Sequence, residues 1–458
     1  MLIGIAELLS RRTRLSREVM RKVLHCLIGL EWLVLYYFFS DSWQIVVIPA
    51  SFVIVNLASY RFKFFHSIER EEGNHPGTVF YAVSMTAMSV ATAIDHRFML
   101  PFGIAVACLS FGDAAAALMG RYLKPHVAVF RKSLWGAVGC FVFSFLAQLG
   151  LFALQGQPFN FAYMIAIAVV SCLSEVISNK GTDNLFVCLW CFLWSYALFL
   201  DNSAIQNVLM CYIGFILAGV CINTRAFTLP ASCLAGAMLA VLGILGGWFA
   251  FLFIISAYGV IYMAEHFIKH AKYKETRKVV QIVQNGLCAV AMIIAYYYTR
   301  QSFLLLAYVV AVTESLTDSF SGVIGTAYAH RTVDIIRHCA ISKGLSGGVS
   351  LIGTIAGLAV NALAIVPCGF AFGWQWYLVA VALLPFMGML LDSVFGATIQ
   401  IKQICTECGI VCECTSHCSR PTERYKGMAI FTNGNVNLLT NAITTAAACL
   451  VFYFVYHG

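Results

Sequence analysis

The sequence is a succession of continuously apolar stretches, about fifteen of them, each roughly 16 to 28 residues long, which brackets the roughly 20 residues that a helix needs to cross a bilayer core. Among them are 98–120, 160–177, 184–200, 228–246, 248–266, 345–368 and 375–400. A membrane barrel would instead need segments of about ten residues alternating apolar and polar. The spans therefore read as helices, and the fold class as all-α, a polytopic integral membrane protein of about 15 spans. Only 11% of residues are charged, against roughly 25% in an ordinary soluble domain.

Charge fixes the expected orientation. With the basic N-terminal segment RRTRLSREVMRK on the cytoplasmic side, only Arg97 and Arg300 of the 29 Lys and Arg residues fall outside, as the positive-inside rule requires. No short apolar stretch is followed by a small-residue cleavage site, so the first span is expected to be retained. The net charge of +8 then reports topology, not nucleic-acid binding. The long polar segments, including 121–133, 326–344 and 401–434, all fall on the cytoplasmic face, so chemistry is expected there, in a bacterial inner membrane or its equivalent.

Six acids stand where acids are costly. An Asp or Glu at mid-bilayer depth costs about 2.5 to 3.5 kcal/mol on insertion scales, so each is a candidate site residue. Asp113, Glu175, Glu314, Asp318 and Asp392 lie in apolar runs one to three turns from the inner end, and Asp183 opens a span. A structural hydrogen bond between helices would explain any one of them. Their gathering toward a single leaflet, with Glu314 and Asp318 spaced i, i+4, favours a shared role. Oxygen-only clusters of this kind suit Mg²⁺, which completes its shell with water and substrate phosphate.

Basic, glycine-containing turns follow the acids. Arg121, Lys124, Arg131 and then Lys132-Ser133-Leu134-Trp135-Gly136 come after Asp113; Arg331, Arg337 and then Lys343-Gly344-Leu345-Ser346-Gly347-Gly348 come after Asp318. Free N–H groups at a helix start beside a lysine make an anion site, so these residues are expected to hold phosphate. A second acid follows in each half, Glu175 or Asp392, and then an asparagine-bearing helix start: Asp183-Asn184 in one half, Asn433 to Asn437 with Asn435 between them in the other. One layout is used twice, with a division expected near 224–228, between modules 1–225 and 226–458.

Taken together these strings resemble two families. RKVLHCLIGL (Arg21, Lys22, His25, Gly29), FGDAAAALMGR, RKSLWG and SEVISNKGTDNL, in order over 20–190, resemble the dolichol and phytol kinases. RKVVQIVQNG, TDSFSGVIG, ISKGLSGGVSLIGT, LLDSVFGATIQ and NGNVNLLTN over 277–441 resemble the DUF92 family, which includes phytyl-phosphate kinases. The resemblance implies that the first module phosphorylates a prenyl alcohol with CTP or another nucleoside triphosphate and Mg²⁺, and that the second adds a further phosphate. On this reading Asp113 and Asp318 organise metal, assisted by Glu175, Asp183, Glu314 and Asp392. Lys132 and Lys343 hold phosphate, and His25 orients or deprotonates the alcohol or serves as an interhelical hydrogen-bond partner. Membrane lipids are the other expected partners. A membrane cytidylyltransferase making a CDP-lipid and a secondary transporter are the alternatives; the gathering of acids near one leaflet, away from the midplane, speaks against the transporter.

Most of the 18 cysteines sit singly in apolar runs as small hydrophobes. The exception is IKQICTECGIVCECTSHCSR, where a CxxCG knuckle precedes further Cys and His residues. Cys405, Cys408, His417 and Cys418 can form a structural Zn²⁺ site; redox thiols, or no function, are the other readings.

Overall fold

The structure is a computed structural model that describes residues 17–40, 42–62, 77–124, 128–129, 132–178, 181–200, 204–268 and 276–457. Arg131 lies outside these residues. Within them the chain is all-helical apart from short hairpins and one small sheet, as expected for a multi-pass membrane protein. Twelve helices are long and apolar enough to cross a membrane, against about fifteen spans in the sequence reading. Two of the missing spans, Phe161–Ile177 and Asp183–Phe199, are helical but shorter. The third is hidden in Leu229–Phe267, a continuous run interrupted only at Gly247, whose φ of 74° and ψ of −174° place it in a backbone region essentially reserved for glycine.

The chain forms two compact units, Met1–Tyr212 and Ile213–Gly458. The division falls inside helix Ala204–Asn223, ahead of the 225/226 boundary expected from sequence.

The first unit contains α1 (Arg17–Phe39), α2 (Val47–Phe62), α3 (Gly77–Ile94), α4 (Met99–Ala107), a π-helical turn (Cys108–Asp113), α5 (Ala114–Tyr122), α6 (Leu134–Gln155), α7 (Phe161–Ile177) and α8 (Asp183–Phe199). α9 (Ala204–Asn223) leads into the second unit. That unit continues with α10 (Leu229–Phe267), α11 (Val279–Thr299), α12 (Phe303–Tyr328), α13 (Leu351–Phe372), α14 (Val379–Thr398) and α15 (Asn433–His457).

In each unit one span is central. In the apolar stretch of His96–Tyr122 72% of residues are buried, and in that of Phe303–Tyr328 78%, whereas the other spanning helices bury 17 to 39%. A helix that is apolar all round goes to the middle of a bundle, and its neighbours turn their large side chains to lipid. The two central spans carry Asp113 and Asp318. The π-helical turn ends on Asp113, and such turns inside helices gather at functional sites.

After each central span the chain folds into a two-residue antiparallel hairpin before the next helix. β1 (Ala128–Val129) pairs with β2 (Lys132–Ser133), and β3 (Val333–Asp334) pairs with β4 (Gly348–Val349). Each hairpin delivers a serine N-cap: Ser133 accepts from the Gly136 N–H at 3.0 Å, and Ser350 from the Gly353 N–H at 3.2 Å.

Candidate active sites

The glycines around these caps show how closely the two units repeat one corner. A Cβ on Gly120 would meet Ser133 Oγ at 2.7 Å, and one on Gly325 would meet Ser350 Oγ at 2.8 Å. A Cβ on Gly136 would strike the Ala116 carbonyl at 2.8 Å, and one on Gly353 the Ser321 carbonyl at 2.8 Å. Asp113 stands seven residues before Gly120, and Asp318 seven before Gly325. The two aspartates therefore hold equivalent positions. The glycines let the following helix approach close to the aspartate-bearing one.

This geometry sets the correspondence between the two halves. The partner of Ser133 is Ser350, so Val349 takes the place of Lys132. Lys343 is exposed and makes no ion pair among the described residues. A lysine not singled out in the sequence contacts the 344–348 turn. Lys402, on β5 (Lys402–Cys405), is 2% exposed and donates from Nζ to the Ser346 carbonyl at 2.5 Å. Burial and the neighbouring Lys426 ammonium push the Lys402 pKa down.

In the first unit the acids converge. Carboxylate oxygens of Asp113, Glu175 and Asp183 all lie within 4.8 Å of one another, and all three residues are buried. Two lysines reach in. Lys22, itself 2% exposed, approaches Asp113 Oδ2 at 2.5 Å; Lys132 approaches Glu175 Oε1 at 2.5 Å and Asp183 Oδ2 at 3.7 Å. Although burial alone would lower the Lys132 pKa, Glu175 and Asp183 raise it above the ordinary lysine value. His25 Nδ1 lies 3.3 Å from Asp113 Oδ2, and the His25 ring stands edge-on to Tyr81. Glu175 Oε2 is buried and takes no hydrogen bond among the described residues. An orphaned carboxylate oxygen within a three-carboxylate set fits a hard, oxygen-seeking cation such as Mg²⁺.

Beside this cluster runs a partly open apolar cleft of about 690 Å³, open solvent included, walled by Leu24, Ile28, Leu35, Phe52, Tyr81 and Met85. His25 and Asn184 also line it, as does Glu31, an acid within α1 that the sequence reading did not single out. Asn184 Nδ2 donates to the Gly77 carbonyl at 2.7 Å, tying α8 to α3. Arg121 is exposed and pairs with no acid among the described residues.

The second unit fills the same corner differently. Asn437 Nδ2 donates to Asp318 Oδ2 at 3.2 Å, and Asn441 Nδ2 to Glu314 Oε2 at 2.6 Å. Gly388 lets α14 approach the Glu314 side chain, and Asp392 shares its electrostatic surroundings with Glu314, Asp318 and Glu413. Among the described residues these acids do not draw as close as those of the first unit, and no lysine touches them. Oxygens of Asp392 (Oδ1) and Asn437 (Oδ1) are buried without hydrogen-bond partners among the described residues, so a cation fits here too. Asn435 accepts from Gln284 at 2.8 Å and donates to the Ile430 carbonyl at 2.6 Å.

The turn at 344–348 lies against the end of α14, where Gly347 (φ 84°) packs on Ala397. Gly344 (φ 78°) and Gly348, which pairs with Asp334, shape it. Its Ser346 N–H donates to Glu413 Oε1 at 2.9 Å. An amide expected to meet phosphate therefore meets a carboxylate from the cysteine-rich loop.

The profile of the integral membrane protein DUF92 family matches residues 212–445, just over half of the chain. The chain belongs to the DUF92 family. It is also similar to phytol kinase of Synechocystis, 28% identical over 190 residues, which is 40% of this chain and 80% of that protein. An uncharacterized membrane protein of the same organism is 34% identical over 104 residues, 22% of this chain and 40% of its own length. No solved structure matches. The DUF92 segment contains Asp318, Asp392 and the cysteine-rich loop.

Proposed function

We propose that this DUF92 protein is a membrane phosphotransferase. Its first unit moves the terminal phosphoryl group of CTP or another nucleoside triphosphate to a long-chain isoprenoid alcohol, of phytol, geranylgeraniol or farnesol type. Its second unit phosphorylates the resulting monophosphate. The observation that carries this reading is the buried Asp113–Glu175–Asp183 set, crossed by Lys22 and Lys132, beside an apolar cleft that His25 lines. The similarity to a protein named phytol kinase supports the substrate class. The clustering of Lys and Arg on one set of loops supports a cytoplasmic site.

Phosphoryl transfer asks a protein for positioning and electrostatic stabilisation more than for covalent chemistry. The cleft takes the hydrocarbon chain and leaves the hydroxyl beside His25. Lys22 and Lys132 exchange carboxylate for phosphate oxygens and offset charge on the triphosphate. As the alcohol oxygen bonds to the γ-phosphorus and the bond to the bridging oxygen breaks, the hydroxyl proton passes to the His25 imidazole, held at Nδ1 by Asp113. Asp113, Glu175 and Asp183 would hold Mg²⁺, which when bound screens the triphosphate charge. In the second unit Asp318, Glu314 and Asp392 would hold the ion, with Lys402 near the phosphate turn.

Membranes carrying the protein are given γ-labelled CTP or ATP with farnesol, geranylgeraniol or phytol. Label should pass to lipid with release of nucleoside diphosphate. Asp113→Ala should abolish the monophosphate, and Asp318→Ala should let it accumulate. Full diphosphate output from both variants, or pyrophosphate release with a CDP-lipid product, would overturn the proposal.

A further inference from the structure

The loop between α14 and α15 forms a four-stranded sheet in the order β6 (Val411–Cys412), β5, β8 (Arg420–Lys426), β7 (Ser416–His417). Most of β8 is exposed, and of the loop's apolar side chains Ile410 and Tyr425 are exposed too. A sheet this small, with so little apolar area to bury, needs a staple such as a disulfide or a metal.

We infer that Cys405, Cys408, His417 and Cys418 form a tetrahedral Zn²⁺ site that holds this loop over the 344–348 turn, with the Glu413 carboxylate on the Ser346 amide. This stands independently of the phosphotransfer reading. One donor atom from each of the four residues lies within 4.8 Å of the others. His417 Nδ1 is 3.3 Å from Cys408 Sγ and 3.2 Å from Cys418 Sγ. Across a tetrahedral Zn²⁺ ion a nitrogen and a sulfur stand roughly 3.6 Å apart, so a small expansion admits the ion.

The backbone is shaped for the same purpose. Gly409 (φ 68°) closes the Cys405–Cys408 knuckle, its N–H donating to the Cys405 carbonyl at 3.0 Å. The β7–β8 hairpin turns through Cys418 and Ser419, both at positive φ (50° and 60°), a two-residue turn usually built from Asn and Gly. Placing Cys and Ser there costs backbone energy, and a metal bond from Cys418 offsets it. Cys412 and Cys414 stand apart from the quartet: the Cys412 thiol donates to the Cys414 carbonyl. They bracket Glu413 and provide an internal control.

The test uses the full chain purified in detergent without chelator. One Zn²⁺ per chain is expected by elemental analysis, retained in Cys412→Ser and lost in the Cys405→Ser/Cys408→Ser pair. Because that pair can fail to fold, the wild-type protein exchanged with Co²⁺ supplies a second reading, the visible spectrum of tetrahedral thiolate coordination. Chelation should expose 401–426 to protease, and Zn²⁺, unlike Mg²⁺, should restore protection. Less than a tenth of a Zn²⁺ per chain (on the order of adventitious loading) with no Co²⁺ spectrum would overturn the proposal. Recovery of Cys405 and Cys408 as a disulfide in the non-reducing preparation would overturn it as well.

Discussion

The two units build the same corner and charge it in opposite ways. In the first, three carboxylates meet the buried Lys22 and the partly exposed Lys132, so the cluster is nearly neutralised by side chains of its own unit. In the second, the acids meet asparagine amides, and the buried Lys402 bonds the 344–348 turn instead. The arginine-lysine string that opens α1 recurs before α11, yet its members diverge. Lys22 is buried on Asp113, whereas Lys278 is exposed and Arg277 pairs with Glu265 at 2.6 Å. A shared backbone corner thus does not dictate a shared charge state. The first corner carries its own cations beside the acids, whereas in the second no lysine touches the acids among the described residues.

Breaking the buried pair of the first corner should give the largest effect. Asp113→Asn leaves Lys22 buried without its counter-charge, and removing one partner of a buried pair costs about 3 to 5 kcal/mol. Monophosphate formation should fall by about 100-fold or more, as when a transition-state electrostatic contact is lost. The double variant Lys22→Met/Asp113→Leu should regain thermal stability in detergent without regaining activity. If Asp113→Asn melts at the wild-type temperature, the pair does not carry the weight given it here.

A smaller contrast separates the lysines. Lys132→Ala should lower phosphorylation of the alcohol by roughly 10- to 100-fold, since two acids lose their partner. Lys402→Ala should slow only the second phosphorylation, by about tenfold, because it supports the turn through the Ser346 carbonyl. Lys343→Ala should change neither. Measured monophosphate and diphosphate yields from the three variants decide whether Lys402 or Lys343 is the functional counterpart of Lys132.

Much of this was legible in the sequence. Apolar length located the spans, and the cost of burying acid flagged both central aspartates before any fold was known. Failures came where side chains return from a distance. Lys22 reads as a topology signal because loop lysines usually are, and only the packing of α1 against the π-helical turn shows it buried on Asp113. Lys402 lies more than fifty residues from the turn it supports, beyond the reach of any local motif. The β3–β4 hairpin shifts the helix start to Leu351 instead of the expected 345. Glycine-containing turns hide such a shift, because glycine suits both a hairpin and a close helix contact.

The gentlest test asks whether the corners are equivalent as scaffolds. Ser133→Ala and Ser350→Ala each remove one N-cap hydrogen bond, to Gly136 and to Gly353. Loss of a serine cap costs about 1 kcal/mol, so each variant should lower the denaturation midpoint of the detergent-solubilised protein slightly and by a similar amount. Neither hydroxyl bonds an acid of its cluster, so activity should follow stability and nothing more. Should Ser133→Ala alone depress activity well beyond its stability loss, that hydroxyl touches the nucleotide. The first corner would then have a ligand-binding role that its counterpart lacks, and the contrast between the units would extend from charge to the cap itself.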